Sequence, residues 1–238
     1  MHRILKIFLL LGMAGFFTSC LFMGPSVKGN GDVVEEVRHP GSFSGIKVTS
    51  GMNVYLIQGD DTRVVVVADK NLHEVIETVV VDGTLEIRAL ANIWNASSKK
   101  VMVYFNKVRE IEATAGSNIF SGSRLVLGQL DLRASAGSNF QMELEAELIN
   151  VSVSSGANIL LEGQSKQITA ITSSGGNLKA EDFRADISDV KASSGANAWI
   201  TAMKEITAHA SSGGNIFYYG TPETTNTTAS SGGNVHKR

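Results

Sequence analysis

Cysteine is almost missing from the chain. A single one, Cys20, occurs among 238 residues, which excludes an internal disulfide and any multi-cysteine metal site. Proline is scarce, at 3 residues, and aromatic residues make up only 7%, so few large rings are available to fill a wide core. Charge is modest and balanced: Lys plus Arg number 21 against 23 Asp plus Glu, for a net charge of −2. No basic excess marks a polyanion-binding surface, so nucleic acid is not expected as a partner. After the first twenty residues no apolar run approaches the ~18 residues that a membrane-spanning helix needs. Present in quantity are glycine, at 24 residues, and apolar residues, at 43%. That combination fits a globular, turn-rich β protein and not a disordered one.

The N-terminus reads as an address. Met1-His2-Arg3 and Lys6 form a basic start, Ile7 to Phe17 an apolar core, and Phe17-Thr18-Ser19-Cys20 an end with small residues before the cysteine. This is the layout of a signal peptide over residues 1–19. The last four residues resemble a bacterial lipobox, which implies that Cys20 is lipidated and becomes the first mature residue. Phe17 departs from the aliphatic residue usual at its position. An ordinary secretory signal with an incidental Cys20 is the alternative. Residues 20–42, with Gly24, Pro25, Gly29, Gly31, Pro40 and Gly41 scattered without period, are expected to form a lipid-anchored tether.

The rest of the chain is organised by a pentapeptide. It reads TAGSN ending at Asn118, SAGSN at Asn139, SSGAN at Asn158, SSGGN at Asn177, SSGAN at Asn197, and SSGGN at Asn215 and Asn234. The asparagines are 21, 19, 19, 20, 18 and 19 residues apart, and an eighth copy, TSGMN, ends at Asn53. A near-constant step of this size without helical periodicity predicts a β-solenoid. Residues around each motif alternate with period two. Seven and five before the asparagine stand Leu132 and Ala134 or Val190 and Ala192; between and before them stand Asp131 and Arg133 or Asp189 and Lys191. The small residue three before the asparagine (Ala115, Ala136, Ser155, Ser194) continues the inward frame. The glycine is expected at positive φ in a corner, and the asparagines in an amide ladder from coil to coil.

This spaced series, behind a lipoprotein-like signal, resembles the head GIN-domain family of auto-transporter adhesin heads, frequent in Bacteroidetes-type bacteria. The resemblance covers about residues 43–238. It implies an envelope domain built as an all-β, right-handed parallel β-helix, and it brings no catalytic residues. No room is left after Arg238 for a translocating barrel, so the chain is not expected to be an autotransporter itself.

Residues 43–110 are less regular. One coil is expected around Asn53, with strands at Val64–Ala68, Val79–Val81, Leu85–Ala89 and Val101–Phe105, a turn at Asp82-Gly83, and a short helix or loop over 71–77. They form an N-terminal β segment continuous with the regular solenoid of 111–238.

Chemistry is sparse. His39, His73, His209 and His236 show no metal-ligand spacing, so no metal or cofactor is expected. The repeated serines belong to the corner. Two outward columns stand out. Two residues after the asparagines come Tyr55, Phe120, Leu160, Trp199 and Phe217, with Tyr219 further along, a candidate binding face for a glycan or surface protein unless a loop covers it. Four after come Glu143, Glu162 and Glu181, like charges that would either splay into water or share a cation. Three classes remain: a non-enzymatic envelope binding or adhesion module, a structural spacer capable of end-to-end self-association, and a polysaccharide-active enzyme. For the last, only Glu181, Asp182, Asp186 and Asp189 come near to a carboxylate cluster. The expected location is the outer membrane, periplasmic or surface-facing.

Overall fold

Asparagine and glycine at a fixed step can stack only if the chain returns to the same corner after each step, and it does. The structure is a computed structural model that describes residues 25–238. The first strands are β1 (Ser26–Lys28), β2 (Val33–Arg38), β3 (Gly45–Val48), β4 (Asn53–Gln58) and β5 (Arg63–Asp69). Then come β6 (Ile76–Val81), β7 (Thr84–Ala89), β8 (Asn92–Trp94) and β9 (Lys99–Phe105). The coils follow: β10 (Glu110–Ala113), β11 (Asn118–Ser121), β12 (Leu125–Ala134), β13 (Asn139–Val153) and β14 (Asn158–Thr172). The last are β15 (Asn177–Ala192), β16 (Asn197–Ala210), β17 (Asn215–Tyr219), β18 (Thr224–Ala229) and β19 (Asn234–Lys237). Seventeen of these strands form one continuous hydrogen-bonded sheet.

From β10 onward the pairing is parallel, coil on coil. Asn139 faces Asn158 and Val153 faces Thr172, one period away. The coil of Asn53 stacks directly on that of Asn118, although 65 residues separate them in sequence. The intervening excursion closes the N-terminal end. β7 and β9 extend the stack under β3 and β4. β5 then runs antiparallel to β9, and β2 antiparallel to β5. Asp82 and Gly83, both at positive φ, turn β6 into its antiparallel partner β7. The stretch expected as a helix or loop is a short 3-10 turn at Lys70–Leu72 that leads into β6.

Inward columns of Val, Ile, Leu and Ala form one core along the axis; Ile111, Ala113, Ile119, Leu132 and Ile159 are all buried. Alternation selects this face, because every second residue of a strand points the same way. The column five residues before the asparagines is filled by small residues, Ala134, Val153, Thr172, Ala192 and Ala210, all buried.

Two expectations are corrected. The part of 20–42 that is described is not a free tether: β2 is paired along its whole length and β1 pairs with β8. Asp69 is the reason. Its buried carboxylate accepts hydrogen bonds from the Gly31 and Ser98 amides, and its backbone lies opposite Val33, so the segment is sewn to the body. Burial alone would raise the pKa of Asp69; the amides of Ser98, Gly31 and Ser97 outweigh it and hold the group below its ordinary value. Residues 1–19, expected as a signal peptide, and Cys20 lie outside the described residues. Second, the residue three before the asparagine does not point inward. Ala115, Ala136, Ser155 and Ser194 are exposed and themselves adopt positive φ.

Candidate functional site

Two consecutive positive-φ residues build each corner. Ser174 has φ 49° and Gly175 φ 71°, and the Gly176 amide donates to the Ser173 carbonyl at 2.9 Å, closing a type I′ turn. The residue after the glycine is the inward one. A Cβ at Gly176 would lie 2.8 Å from the Val153 carbonyl oxygen, so only Gly, Ala or Ser occupies this place from Asn118 onward (Ser117, Ser138, Ala157, Ala196, Gly214). The asparagine then opens the next strand in extended backbone, and its side chain turns along the axis.

All eight expected asparagines join one ladder. Asn118 Nδ2 donates to Asn53 Oδ1 at 2.9 Å, and the bond repeats through Asn139, Asn158, Asn177, Asn197, Asn215 and Asn234 at 2.9–3.0 Å. Each of the six interior amides gives to the coil before it and accepts from the coil after it, so its dipole is matched up and down the stack; Asn53 only accepts and Asn234 only gives. The ladder is a structural spine. At its N-terminal end Lys100 stands opposite Asn53.

Beside the spine runs the outward aromatic column. Pairing places Tyr55, Phe120, Gln141, Leu160, Lys179, Trp199, Phe217 and His236 in one line. Tyr55 and Phe120 stack at 5.0 Å between centroids, Trp199 and Phe217 at 5.4 Å, and Phe217 and His236 at 5.6 Å. Lys100 lies 4.3 Å over Tyr55, and Arg238 4.9 Å over Phe217. The column is therefore two aromatic clusters, one toward each end, separated by Gln141, Leu160 and Lys179. Phe120, Leu160, Trp199, Phe217 and Tyr219 are all half-buried; Phe120, Trp199 and Phe217 are covered in part by their stacking partners, while Tyr219 stands off this line, opposite Thr201. Ring faces are largely taken up by stacking, and ring edges form the surface. Tyr55 stands in the column as its spacing implies, and His236 joins it as a further ring because Asn234 opens one more strand.

The acidic column is shorter than the spacing implies. Glu143 and Glu162 stand in register, but the pairing shifts between Leu160 and Gly163, which takes Glu181 out of line. Nor do the four carboxylates of β15 converge. Asp186 accepts a hydrogen bond from Lys204, while Asp189 belongs to another column, between Thr169 and Thr207. Among the described residues no group of three His, Cys, Asp or Glu is placed to hold a metal ion. No described helix is long and apolar enough to cross a membrane.

Comparisons with known proteins agree with this architecture. A family model described as "Putative auto-transporter adhesin, head GIN domain" matches residues 42–222. Among solved structures, a putative adhesin from Bacteroides fragilis superposes with a TM-score of 0.82 at 17% identity, covering 89% of this chain and 100% of that one. A putative adhesin from Parabacteroides distasonis gives 0.74 at 22% identity, covering 90% and 100%. A putative lipid binding protein from the same species gives 0.72 at 16% identity, covering 90% and 99%. At such identities the likeness is one of fold. No curated protein matches the chain.

Proposed function

Because the chain belongs to the head GIN-domain family, we propose that it is a non-enzymatic binding module of the cell envelope, held by a lipid on Cys20 and engaging a glycan or a surface protein through its outward column. The observation that carries this reading is the in-register line from Tyr55 to His236. A parallel solenoid repeats one outward position in every coil, and here that position displays aromatic edges and cations on a rigid backbone instead of a catalytic constellation. Names given to structural relatives, adhesin in several cases and lipid binding protein in another, support a role in contact with surfaces.

Anchoring would be close. Four residues lie between Cys20 and Pro25, whose carbonyl already accepts a hydrogen bond from Asn92. A lipid on Cys20 would hold the N-terminal end of the solenoid within about 18 Å of the bilayer, at ~3.6 Å per residue. Periplasmic and surface-facing placements both satisfy that distance.

The test is retention on cells and glycan arrays. Trp199→Ala with Phe217→Ala should abolish binding, while the loss of one stacked pair should cost about 0.5–1.5 kcal/mol beyond the area it buries. Intact binding by the folded double variant would remove the column from the site. A self-associating structural role is the second reading, favoured by β18, all six of whose residues are exposed. Sedimentation of the purified chain as a monomer at every concentration would exclude it.

A further inference from the structure

The bend opposite the asparagine spine carries a groove that the aromatic column does not use. It has two adjoining parts that share Val126 and Leu127. The first, about 690 Å³, lies where the N-terminal excursion meets the coils, between Gln58, Asn106, Lys107, Arg109 and Arg124. The second, about 430 Å³, continues over Glu145, Glu147, Gln164, Lys166 and Arg184 toward Met203. Val126, Glu145, Gln164 and Arg184 occupy successive coils in register, so this wall runs about 14 Å along the axis at ~4.8 Å per step.

The groove is built rather than incidental. Gln58 clasps the backbone of Val126 from both sides: its Nε2 donates to the Val126 carbonyl at 2.8 Å, and its Oε1 accepts from the Val126 amide at 2.7 Å. That clasp joins the excursion to the coils and fixes Lys107 and Arg109 at one end. The floor is low because small residues line it, Ala146 and Ser165 beside Leu127. Ser165 is 9% exposed, and its hydroxyl has no hydrogen-bond partner among the described residues. A buried hydroxyl left unpaired is costly, but this one lies in the inward column with Leu127 and Ala146 and is closed to solvent, so it stays out of a ligand's reach. Val126 and Met203, 60% and 45% exposed, offer apolar contact on the walls.

Charge decides the ligand class. The carboxylates of the groove are already matched: Glu145 by Arg124 at 2.6 Å, Glu147 by Lys166, and Asp186 by Lys204 at 2.8 Å. Lys107, Arg109 and Arg184 form no ion pair among the described residues, and Asp60 is the one carboxylate lining the groove that is left without a cation there. The surplus is therefore cationic, in a protein whose net charge is −2. Guanidinium groups grip carboxylates through two parallel N–H donors, and the side-chain amides of Asn106 and Gln164 with the apolar patches suit a polyhydroxylated chain. We infer that this groove binds an acidic oligosaccharide, with Lys107 and Arg109 holding carboxylates at one end and Arg184 at the other. The inference rests on the reading of the chain as a binding module but names a different face.

Affinity electrophoresis of the full chain through gels containing polygalacturonate tests it, with dextran gels as the neutral control. The wild type should be retarded by polygalacturonate only, and less so as salt rises. Arg184→Ala, and Lys107→Ala with Arg109→Ala, should each weaken the apparent affinity at least tenfold, while Arg184→Lys, which keeps the charge but not the two parallel donors, should weaken it by less. Lys70→Ala with Lys191→Ala removes equal charge from exposed positions away from the groove and the column and should change nothing; Trp199→Ala with Phe217→Ala should lose cell binding but keep this retardation. No retardation of the wild type would overturn the assignment, as would retardation that survives in the groove variants or vanishes equally in the Lys70/Lys191 control.

Discussion

Replacing Gly163 by alanine should be far more damaging than the same change at Gly175, although the repeat motif contains only the second. Gly175 sits at φ 71° with no atom within 4 Å of where a Cβ would be. Its cost is that of the left-handed backbone alone, roughly 1–2 kcal/mol for a residue other than glycine. Ala115 and Ala136 already accept a similar conformation at the adjacent corner position. Gly163 sits at φ 120°, a region open essentially to glycine only, and a Cβ there would overlap the Leu144 carbonyl oxygen and lie 3.0 Å from its carbon. Backbone strain contributes about 1–3 kcal/mol. The neighbouring strand must also move, forfeiting two or so ladder hydrogen bonds at about 1 kcal/mol each. The sum, about 3–5 kcal/mol, is a large share of the ~5–15 kcal/mol that stabilises a typical domain. Urea unfolding of both variants measures it. Equal losses, or a loss under about 1 kcal/mol at Gly163, would show that the bulge between Leu160 and Gly163 is not set by this glycine.

Asn177→Ala removes two rungs, the bond to Asn158 and the one from Asn197, both near solvent, and should cost about 1–2 kcal/mol in the same melts. The pH dependence should trace to Asp69. Its folded pKa lies below the ordinary 3.8, so its stabilisation is complete above that pH and is lost as pH falls through the folded value. The wild-type urea midpoint should drop below pH 4, and Asp69→Asn, weaker at neutral pH, should flatten that drop. A variant with an undiminished drop would place the acid sensitivity elsewhere.

Much of the architecture is legible in the sequence because a solenoid writes its geometry as a period. The step between asparagines, the alternation at Leu132-Arg133-Ala134 and the glycine at positive φ all follow from local rules that repeat. Corner detail is less legible: a small residue before a glycine, as at Ser174-Gly175, can be small because it is buried or because it is left-handed, and composition does not tell these apart. The strand at Val33–Arg38 is hidden for another reason. Its partner, β5, is an antiparallel neighbour reached through the excursion, and the tie at Asp69 joins residues about forty apart with no repeat between them. The groove is invisible for the same cause, since the segment of Lys107 and Arg109 is brought to β12 by the clasp of Gln58 on Val126 and by the Asp131 amide on the Arg109 carbonyl, with no repeat to announce either.

Placement in the envelope is tested most directly by fractionating cells that express the wild type and Cys20→Ser. The wild type should sediment with membranes and the variant should appear in the soluble fraction, because each acyl chain adds about 0.8 kcal/mol of membrane affinity per buried CH₂ and the described residues offer no spanning helix to replace it. Identical membrane association of the two proteins would contradict a lipid anchor on Cys20.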